Sequence, residues 1–150
     1  MKKFLPLFLA VLLLTGCAGG GGSSASVDEA AVLNVLSVLE QAYRTRDSGR
    51  LPRILGPVLD MPGATMTREN FIWAFDEATS LIKTVHKYDF TDKSVLVKNN
   101  AATVEVLITA DMTLVFAGRV SGQGPGRFEL RKYADGWKIT GLYLEVELMP

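Results

Sequence analysis

The chain has 150 residues, 48% of them hydrophobic, and its 16 basic and 16 acidic side chains give a formal net charge of zero. This balance argues against a nucleic-acid partner, since such proteins carry an excess of basic residues. One histidine and one cysteine leave no donor set for a zinc site, and no cluster of carboxylates suggests calcium. We therefore expect no metal and no cofactor.

The first residues have the marks of an export signal. Lys2 and Lys3 precede an apolar run from Phe4 to Leu14, which is much shorter than the roughly 20 residues of a membrane-spanning helix. The run ends in Leu14-Thr15-Gly16-Cys17, and this ending resembles the lipobox of bacterial lipoprotein precursors. The resemblance implies that residues 1–16 are a cleaved signal peptide and that Cys17 is acylated. An ordinary signal peptide with an incidental cysteine is the alternative.

Cleavage and acylation have further consequences. Without residues 1–16, 14 basic and 16 acidic side chains remain, and acylation of the only cysteine leaves no thiol for a disulfide. Two acyl chains already make a stable bilayer anchor. Ala18 stands where an aspartate often signals inner-membrane retention in Gram-negative lipoproteins. We therefore expect a protein anchored in the outer membrane and facing the periplasm.

The remaining sequence divides into a tether and a domain. Residues 17–25 are rich in glycine and serine, which is typical of a flexible coil, and residues 26–150 form one domain. Ser26 to Glu29 reads as a capping box, so a first helix is predicted from Ser26 to about Arg46. Its apolar stripe has helical spacing and includes Tyr43.

Two more helices are predicted. Pro52 suits the first turn of a short helix that Gly56-Pro57 closes. Asp60 to Thr67 is predicted to be a loop, and Thr67 to cap a third helix that extends to about Lys83.

From Lys83 onward, the hydrophobic period changes from 3.6 to 2, which indicates strands. These are predicted at 85–90, 93–98, 103–116, 127–133 and 137–148, with turns at Asn99-Asn100 and at Asp135-Gly136. The strand over 103–116 is long enough that we expect a bend or bulge in it. Helices followed by antiparallel strands predict an α+β fold with the helices on one face of the sheet.

The order of elements resembles the nuclear transport factor 2-like superfamily, a cone-shaped α+β fold. The similarity lies in the long first helix ending near Tyr43 and Asp47, and in the closing hairpin from Phe128 to Tyr133 and from Asp135 to Ile139. The resemblance implies a pocket between the curved sheet and the helices, and frequent dimerisation through the outer sheet face. Members include isomerases, cyclases and dehydratases, so the fold leaves function open.

Several residues are candidates for a site. Aromatic and methionine side chains suit either an apolar ligand or an ordinary core. The candidate pocket consists of Tyr43, Phe71, Trp73, Phe75, His86 and Met112, with Met61 and Met66 nearby. His86 is a candidate general base or a rim residue without a role. The resemblance implies a similar candidacy for Asp60, which lies roughly where ketosteroid isomerases keep an acidic base; the simpler interpretation is an ordinary loop residue.

Two further stretches allow more than one interpretation. The stretch Gly118 to Gly126 is predicted to be a flexible hairpin loop, with partner binding as an alternative. The arginines near the end of the first helix suit either lipid phosphates or the helix dipole. These are Arg44, Arg46, Arg50 and Arg53.

Three functional hypotheses follow. The favoured one is a non-enzymatic lipoprotein whose domain binds a small apolar ligand or a protein partner. The second is an isomerase, cyclase or dehydratase that uses one acid–base residue. The third is a subunit of an envelope assembly, or a homodimer, formed through the outer sheet face with Leu107 and Val115 or through the apolar tail from Leu142 to Leu148.

Overall fold

The computed structural model describes the backbone of residues 20–150 and the side chains of residues 26–150. Cys17 and the predicted signal peptide lie outside the described residues. The elements in chain order are α1 (Gly20–Thr45), α2 (Leu51–Ile54), β1 (Leu55–Met61), β2 (Ala64–Thr67), α3 (Arg68–Ser80), β3 (Ile82–Lys98), β4 (Ala101–Leu114), β5 (Gly118–Tyr133) and β6 (Gly136–Leu144). None of the helices in this described part is both long and apolar enough to cross a bilayer.

Helix α1 begins earlier than the sequence predicts. Its backbone is helical from Gly20, so Ser26 is an interior position and the predicted helix start at the Ser26 capping box is wrong. The boundary between tether and domain at residue 26 stays a prediction. The helix ends as predicted near Arg46, which has a positive φ of 56° and terminates the helical run.

The segment predicted as a loop, Asp60 to Thr67, is mostly strand. Strands β1 and β2 pair as an antiparallel hairpin that turns through Gly63, whose φ of 76° suits glycine. Strand β1 also pairs with β6, and this pairing is parallel. The sheet is therefore mixed rather than wholly antiparallel, with the order β2-β1-β6-β5-β4-β3.

The start of α3 is as predicted. The side chain of Thr67 caps it, since Asn70 N–H donates to Thr67 Oγ1 at 3.2 Å. The helix ends at Ser80, three residues before the predicted end at Lys83, because the chain enters β3 at Ile82. The short helix α2, with Pro52 in its first turn, also matches the prediction.

The predicted strands over 85–90 and 93–98 form a single strand, β3. It has 17 residues, whereas its partner β4 has 14, and the three additional residues produce register shifts near Thr84, His86 and Asp92. The expected irregularity therefore lies in β3, since β4 pairs with β5 without a register shift. Such bulges bend a strand and increase its twist, which curves the sheet around the helices. The predicted turns at Asn99 and Gly136 are confirmed, both with positive φ.

Gly118 to Gly126 is not a flexible loop. The whole stretch belongs to β5 and pairs with β4. Gly122 and Gly124 share a sheet face with the buried Val120 and Phe128, and the carbonyl oxygens of Glu147 and Glu145 occupy the space of a Cβ atom at these two glycines. The glycines therefore allow the backbone of the C-terminal segment, residues 145–149, to lie directly against β5.

The core lies between the helices and this inner sheet face. Helix α1 contributes the fully buried Val32, Leu36 and Leu39, and β5 contributes Phe128. The alternating side chains of β4 from Ala102 to Met112 are all buried on the same side. The intervening residues face away from the helices, and we call this side of β3, β4, β5 and β6 the outer face.

Candidate functional site

A chain of aromatic rings occupies the interior between α1, α3 and the sheet. Tyr43 stacks on Tyr88 at 4.7 Å between centroids and meets Phe75 edge-on at 4.9 Å. Tyr88 contacts Phe90 at 5.6 Å, and Phe90 contacts Phe128 at 5.3 Å. These separations are those of favourable aromatic pairs. The rings therefore form one continuous chain of contacts from Tyr43 on α1 to Phe128 on β5.

Burial affects the two tyrosines of this chain. It raises the pKa of Tyr43 to about 12 and raises that of Tyr88 well above its ordinary value of 10.0. Both phenols therefore stay neutral at physiological pH. As components of the ring chain they contribute packing, and neither is poised to act as a base.

Four of the six candidate pocket residues belong to or pack against one core cluster, whereas Trp73 and His86 are exposed. Phe71, Phe75 and Met112 are buried members of the core, and Met61 and Met66 pack at its edge. Trp73 points away from the core and is 67% exposed, because only part of the surface of α3 packs against β1, β2 and β3. That these residues line a ligand pocket remains a prediction.

His86 lies on the outer face, at one of the bulges of β3. Its Nε2 atom is 2.8 Å from Thr113 Oγ1 on β4, and it borders a shallow depression with Arg44 and Lys87. Asp60 is an exposed residue of β1 and pairs with Gly141 of β6. Strand β1 lies near one edge of the sheet, whereas β3, which carries His86, is the other edge. Both alternative acid–base candidates are therefore solvent-exposed.

The outer face contains a groove of about 680 Å³. Its floor includes Leu107 of β4 and Pro125 of β5, which are directly opposite each other in the register. At one side, the guanidinium of Arg127 lies 4.4 Å from the ring centroid of Tyr143, which is a cation–π contact. This contact holds a positive charge and a flat aromatic surface at the groove wall.

Carboxylates surround the same groove. Glu105 is opposite Arg127 in the register, Asp92 lies at the bulge of β3, and Glu145 begins the C-terminal segment. Within residues 26–150, none of these three carboxylates is in an ion pair. Pro62, from the turn between β1 and β2, also lines the groove. The groove thus combines an apolar floor, one cation and a negative rim.

Sequence reasoning placed Leu107 on the outer face correctly but missed the groove. Its other components, Arg127 and Tyr143, are on strands that the sequence does predict, and alternation puts Arg127 on the same face as Leu107. The missing information was the strand order. The pairing of β5 between β4 and β6 is what brings Leu107, Pro125 and Tyr143 side by side.

Two of the four arginines near the end of α1, Arg44 and Arg46, have structural partners. Arg44 forms ion pairs with Glu40 and Asp89, and its Nε donates to the Tyr88 carbonyl at 2.7 Å. Arg46 donates to the Ile82 carbonyl at 2.6 Å. Both residues are at the C-terminal end of α1, whereas the predicted anchor, Cys17, precedes this helix in the sequence.

Metal binding finds no support in the part of the chain with described side chains. No three His, Cys, Asp or Glu residues of residues 26–150 are arranged so that they could hold a metal ion. The strongest carboxylate pairing on the outer face is with an arginine: Arg119 donates two hydrogen bonds, at 2.9 and 2.7 Å, to Asp111. This pair lowers the pKa of Asp111 and raises that of Arg119.

Comparison with known proteins identifies the anchor and the fold. Residues 1–18 match the prokaryotic membrane lipoprotein lipid attachment site. Comparison with curated protein sequences gives no significant match.

The domain is similar in structure to several solved proteins of low sequence identity. The Kfla4162 protein of Kribbella flavida superposes with a TM-score of 0.75 at 16% identity, covering 83% of this chain and 95% of the other. A LinA-type hexachlorocyclohexane dehydrochlorinase of Novosphingobium barchaimii has a TM-score of 0.74 at 15% identity, over 84% and 91% of the two chains. An NTF2-like protein of Cytophaga hutchinsonii has a TM-score of 0.61 at 15% identity, over 81% and 98%.

The class is thus defined by two features, a lipid attachment site at the start and an α+β domain of curved sheet and helices. The chain is a bacterial lipoprotein of the cell envelope whose domain has the nuclear transport factor 2-like fold. At these identities the structural similarity establishes the fold and leaves the activity to the site itself.

Proposed function

We propose that this lipoprotein is a non-enzymatic binding module, anchored in the outer membrane by acylated Cys17, whose outer-face groove receives a segment of a protein partner in the periplasm. The observation that carries the proposal is the contrast between the two sheet faces. The inner face is occupied by the ring chain from Tyr43 to Phe128, whereas the outer face is open at the groove around Leu107.

The composition of the groove favours a polypeptide over a small apolar molecule. Leu107 and Pro125 offer an apolar floor, while the rim carries the carboxylates of Asp92, Glu105 and Glu145 and the guanidinium of Arg127. An apolar centre with a polar rim is the usual anatomy of a protein–protein interface. An aromatic residue and an arginine in contact, as Tyr143 and Arg127 are here, are residue types enriched among interface hot spots.

The experiment is site-specific photocrosslinking in intact cells. A photoreactive amino acid replaces Leu107 in the groove, and a matched variant carries it at Leu96, an exposed apolar residue of β3 outside the groove. We expect a crosslinked adduct at position 107 that is absent at position 96 and that Arg127→Ala weakens. Mass spectrometry then tells a second copy of this chain from another envelope protein. Equal labelling at both positions, or none at position 107, refutes the proposal.

The enzymatic alternative has one testable form. The structurally similar dehydrochlorinase shows that this fold supports catalysis in that protein. In this chain the single histidine, His86, is exposed and contacts Thr113. The test measures turnover of a dehydratase or isomerase substrate in His86→Ala and in His86→Gln, which keeps a hydrogen-bonding side chain. Loss of turnover in His86→Ala alone would favour a positioning role for His86 over acid–base chemistry. Loss in both variants would favour catalysis by the imidazole.

A further inference from the structure

The turn between β4 and β5 exposes a large apolar side chain at its apex. Phe116 is 87% exposed and Val115, next to it, is 55% exposed. Leu81, at the end of α3, is 49% exposed and its carbonyl accepts a hydrogen bond from Val115 N–H at 2.9 Å. We call these three residues the apolar tip. The hydrogen bond places the backbone of Leu81 beside the turn, so three exposed apolar residues lie at the same end of the sheet.

The apolar tip lies at the far end of the sheet from the start of the domain. The opposite end of the β4–β5 ribbon carries Asn100 and Lys132, where Lys132 N–H donates to the Asn100 carbonyl. The N-terminal part of α1 is held at that end, since Lys132 Nζ donates to Asp28 at 2.8 Å. The 14 residues of β4 span about 45 Å at roughly 3.3 Å per residue. The domain therefore has an anchor end and a tip end.

The charges around the apolar tip are nearly balanced. Arg119 is paired with Asp111, and Arg46 borders a small depression together with Asp76. Lys83 lies next to the tip and takes part in no ion pair among the described side chains. A strong electrostatic attraction to an anionic surface is therefore not expected. Contact through the tip must depend on burial of its apolar side chains.

We propose that the apolar tip is a second membrane contact, in which Phe116 and Val115 enter the interfacial region of the same bilayer that holds acylated Cys17. An almost fully exposed phenylalanine at the apex of a turn can enter between lipid headgroups, whereas a protein partner would need a matching pocket. Phenylalanine is among the side chains that polypeptides bury at the boundary between headgroups and acyl chains.

The lipid anchor is what makes so small a contact sufficient. An anchored domain meets the bilayer at an effective concentration set by its short connection, so the second contact forms as an intramolecular event. Contact at both the anchor end and the tip end lays the β4–β5 ribbon along the membrane. The proposal rests on the lipid attachment site and does not depend on a ligand in the groove.

The test uses the acylated protein reconstituted in vesicles of phosphatidylcholine and phosphatidylglycerol. Since acylation blocks Cys17, Ala117→Cys supplies the only thiol, and an environment-sensitive fluorophore is attached there. Lipids with a shallow nitroxide quencher are placed either in the same vesicles or in added vesicles without protein. The variants are Phe116→Ser and, as a matched control for removal of an exposed apolar residue, Leu96→Ser.

We expect quenching by lipids of the same vesicles, little change in high salt, loss of quenching in Phe116→Ser, and retention in Leu96→Ser. Circular dichroism confirms that both variants fold, as the exposure of the two side chains implies. Absence of quenching in the wild-type sequence overturns the proposal. So does quenching that persists in Phe116→Ser, or quenching that arises only from the added vesicles, which would mean contact with an opposing membrane.

Discussion

The carboxylate of Asp28 on α1 accepts a hydrogen bond at 3.1 Å from the indole nitrogen of Trp137 on β6. Lys132 donates to the same Oδ1 atom at 2.8 Å, so one side chain ties the N-terminal part of α1 to both strands of the last hairpin. In the sequence, Asp28 stands between Ser26 and Glu29, the two residues predicted to form the capping box. Its actual partners are more than 100 residues away in the chain.

Asp28 should make the free energy of unfolding depend on pH in the acidic range. The hydrogen bond from Lys132, followed by that from Trp137, lowers the pKa of Asp28 below its ordinary value of 3.8. A carboxyl whose pKa is lower in the folded state stabilises the fold above the ordinary value, and this stabilisation is lost as the pH falls through the lowered pKa. We expect Asp28→Asn to reduce the free energy of unfolding at neutral pH. The difference in this free energy between wild type and variant should shrink as the pH falls. Urea titrations from neutral pH downward measure this, and parallel curves would contradict it.

Gly124 should tolerate no side chain. The carbonyl of Glu145 occupies the position of a Cβ atom there, so Gly124→Ala must displace the C-terminal segment or strain β5. We expect a loss of about 1–3 kcal/mol in the free energy of unfolding, as for other overpacked sites. Gln123→Ala, an exposed neighbour on the other face, should have little effect.

A truncation tests the cause of the Gly124 effect. In a chain that ends after Leu144, the carbonyl of Glu145 is gone, so Gly124→Ala should cost much less than in the full chain. An undiminished cost in the truncated chain would show that the strain arises elsewhere, and a double-mutant cycle gives the coupling directly.

Phe128 and Trp73 should differ sharply in their effect on stability. Phe128 is fully buried and contacts the ring of Phe90, so Phe128→Ala removes a core ring and should cost about 3–5 kcal/mol. Trp73 is 67% exposed, and Trp73→Ala should change stability by less than about 0.5 kcal/mol. Denaturant unfolding monitored by circular dichroism measures both. Similar costs would mean that Trp73 is buried by a contact outside the described chain.

Glu40 should protect the free edge of β3. Its Oε2 atom accepts the backbone N–H of Phe90 at 2.7 Å, while Arg44 donates to the Tyr88 carbonyl, so helix side chains replace a neighbouring strand. We expect Glu40→Ala to leave the Phe90 amide without a partner, to cost about 1–3 kcal/mol and to speed its hydrogen exchange. Glu40→Gln keeps an acceptor and should retain most of the protection. Unchanged exchange at Phe90 in Glu40→Ala would rule out this capping role.

Cys17 should determine where the protein resides. The lipid attachment site matches residues 1–18, and acylation requires the thiol of the only cysteine. We expect Cys17→Ala to shift the protein from the membrane fraction to the soluble fraction when cells are fractionated without detergent. Alternatively, the variant remains as an unprocessed precursor. Metabolic labelling with a fatty acid should be lost in this variant. Continued labelling would place the acyl chain on another residue.

Much of this protein is determined by local sequence. The lipid attachment site, the cap at Thr67 and the turns at Asn99 and Gly136 depend on residues within a few positions of each other, so their physical chemistry is complete in a short segment. The alternation in β4 likewise predicts which side chains are buried, because period 2 assigns every second residue to one face.

Other features depend on contacts between residues that are far apart in the chain, and only the tertiary structure determines them. From sequence alone, Gly122 and Gly124 are predicted to be in a loop, whereas in the structure they make room for the C-terminal segment against β5. The parallel pairing of β1 with β6 has no local sequence signal. Trp73 and Phe75 are both apolar residues of α3, but only the direction in which α3 packs makes one exposed and the other core. The groove at Leu107 arises in the same way, since strand order alone brings its walls together.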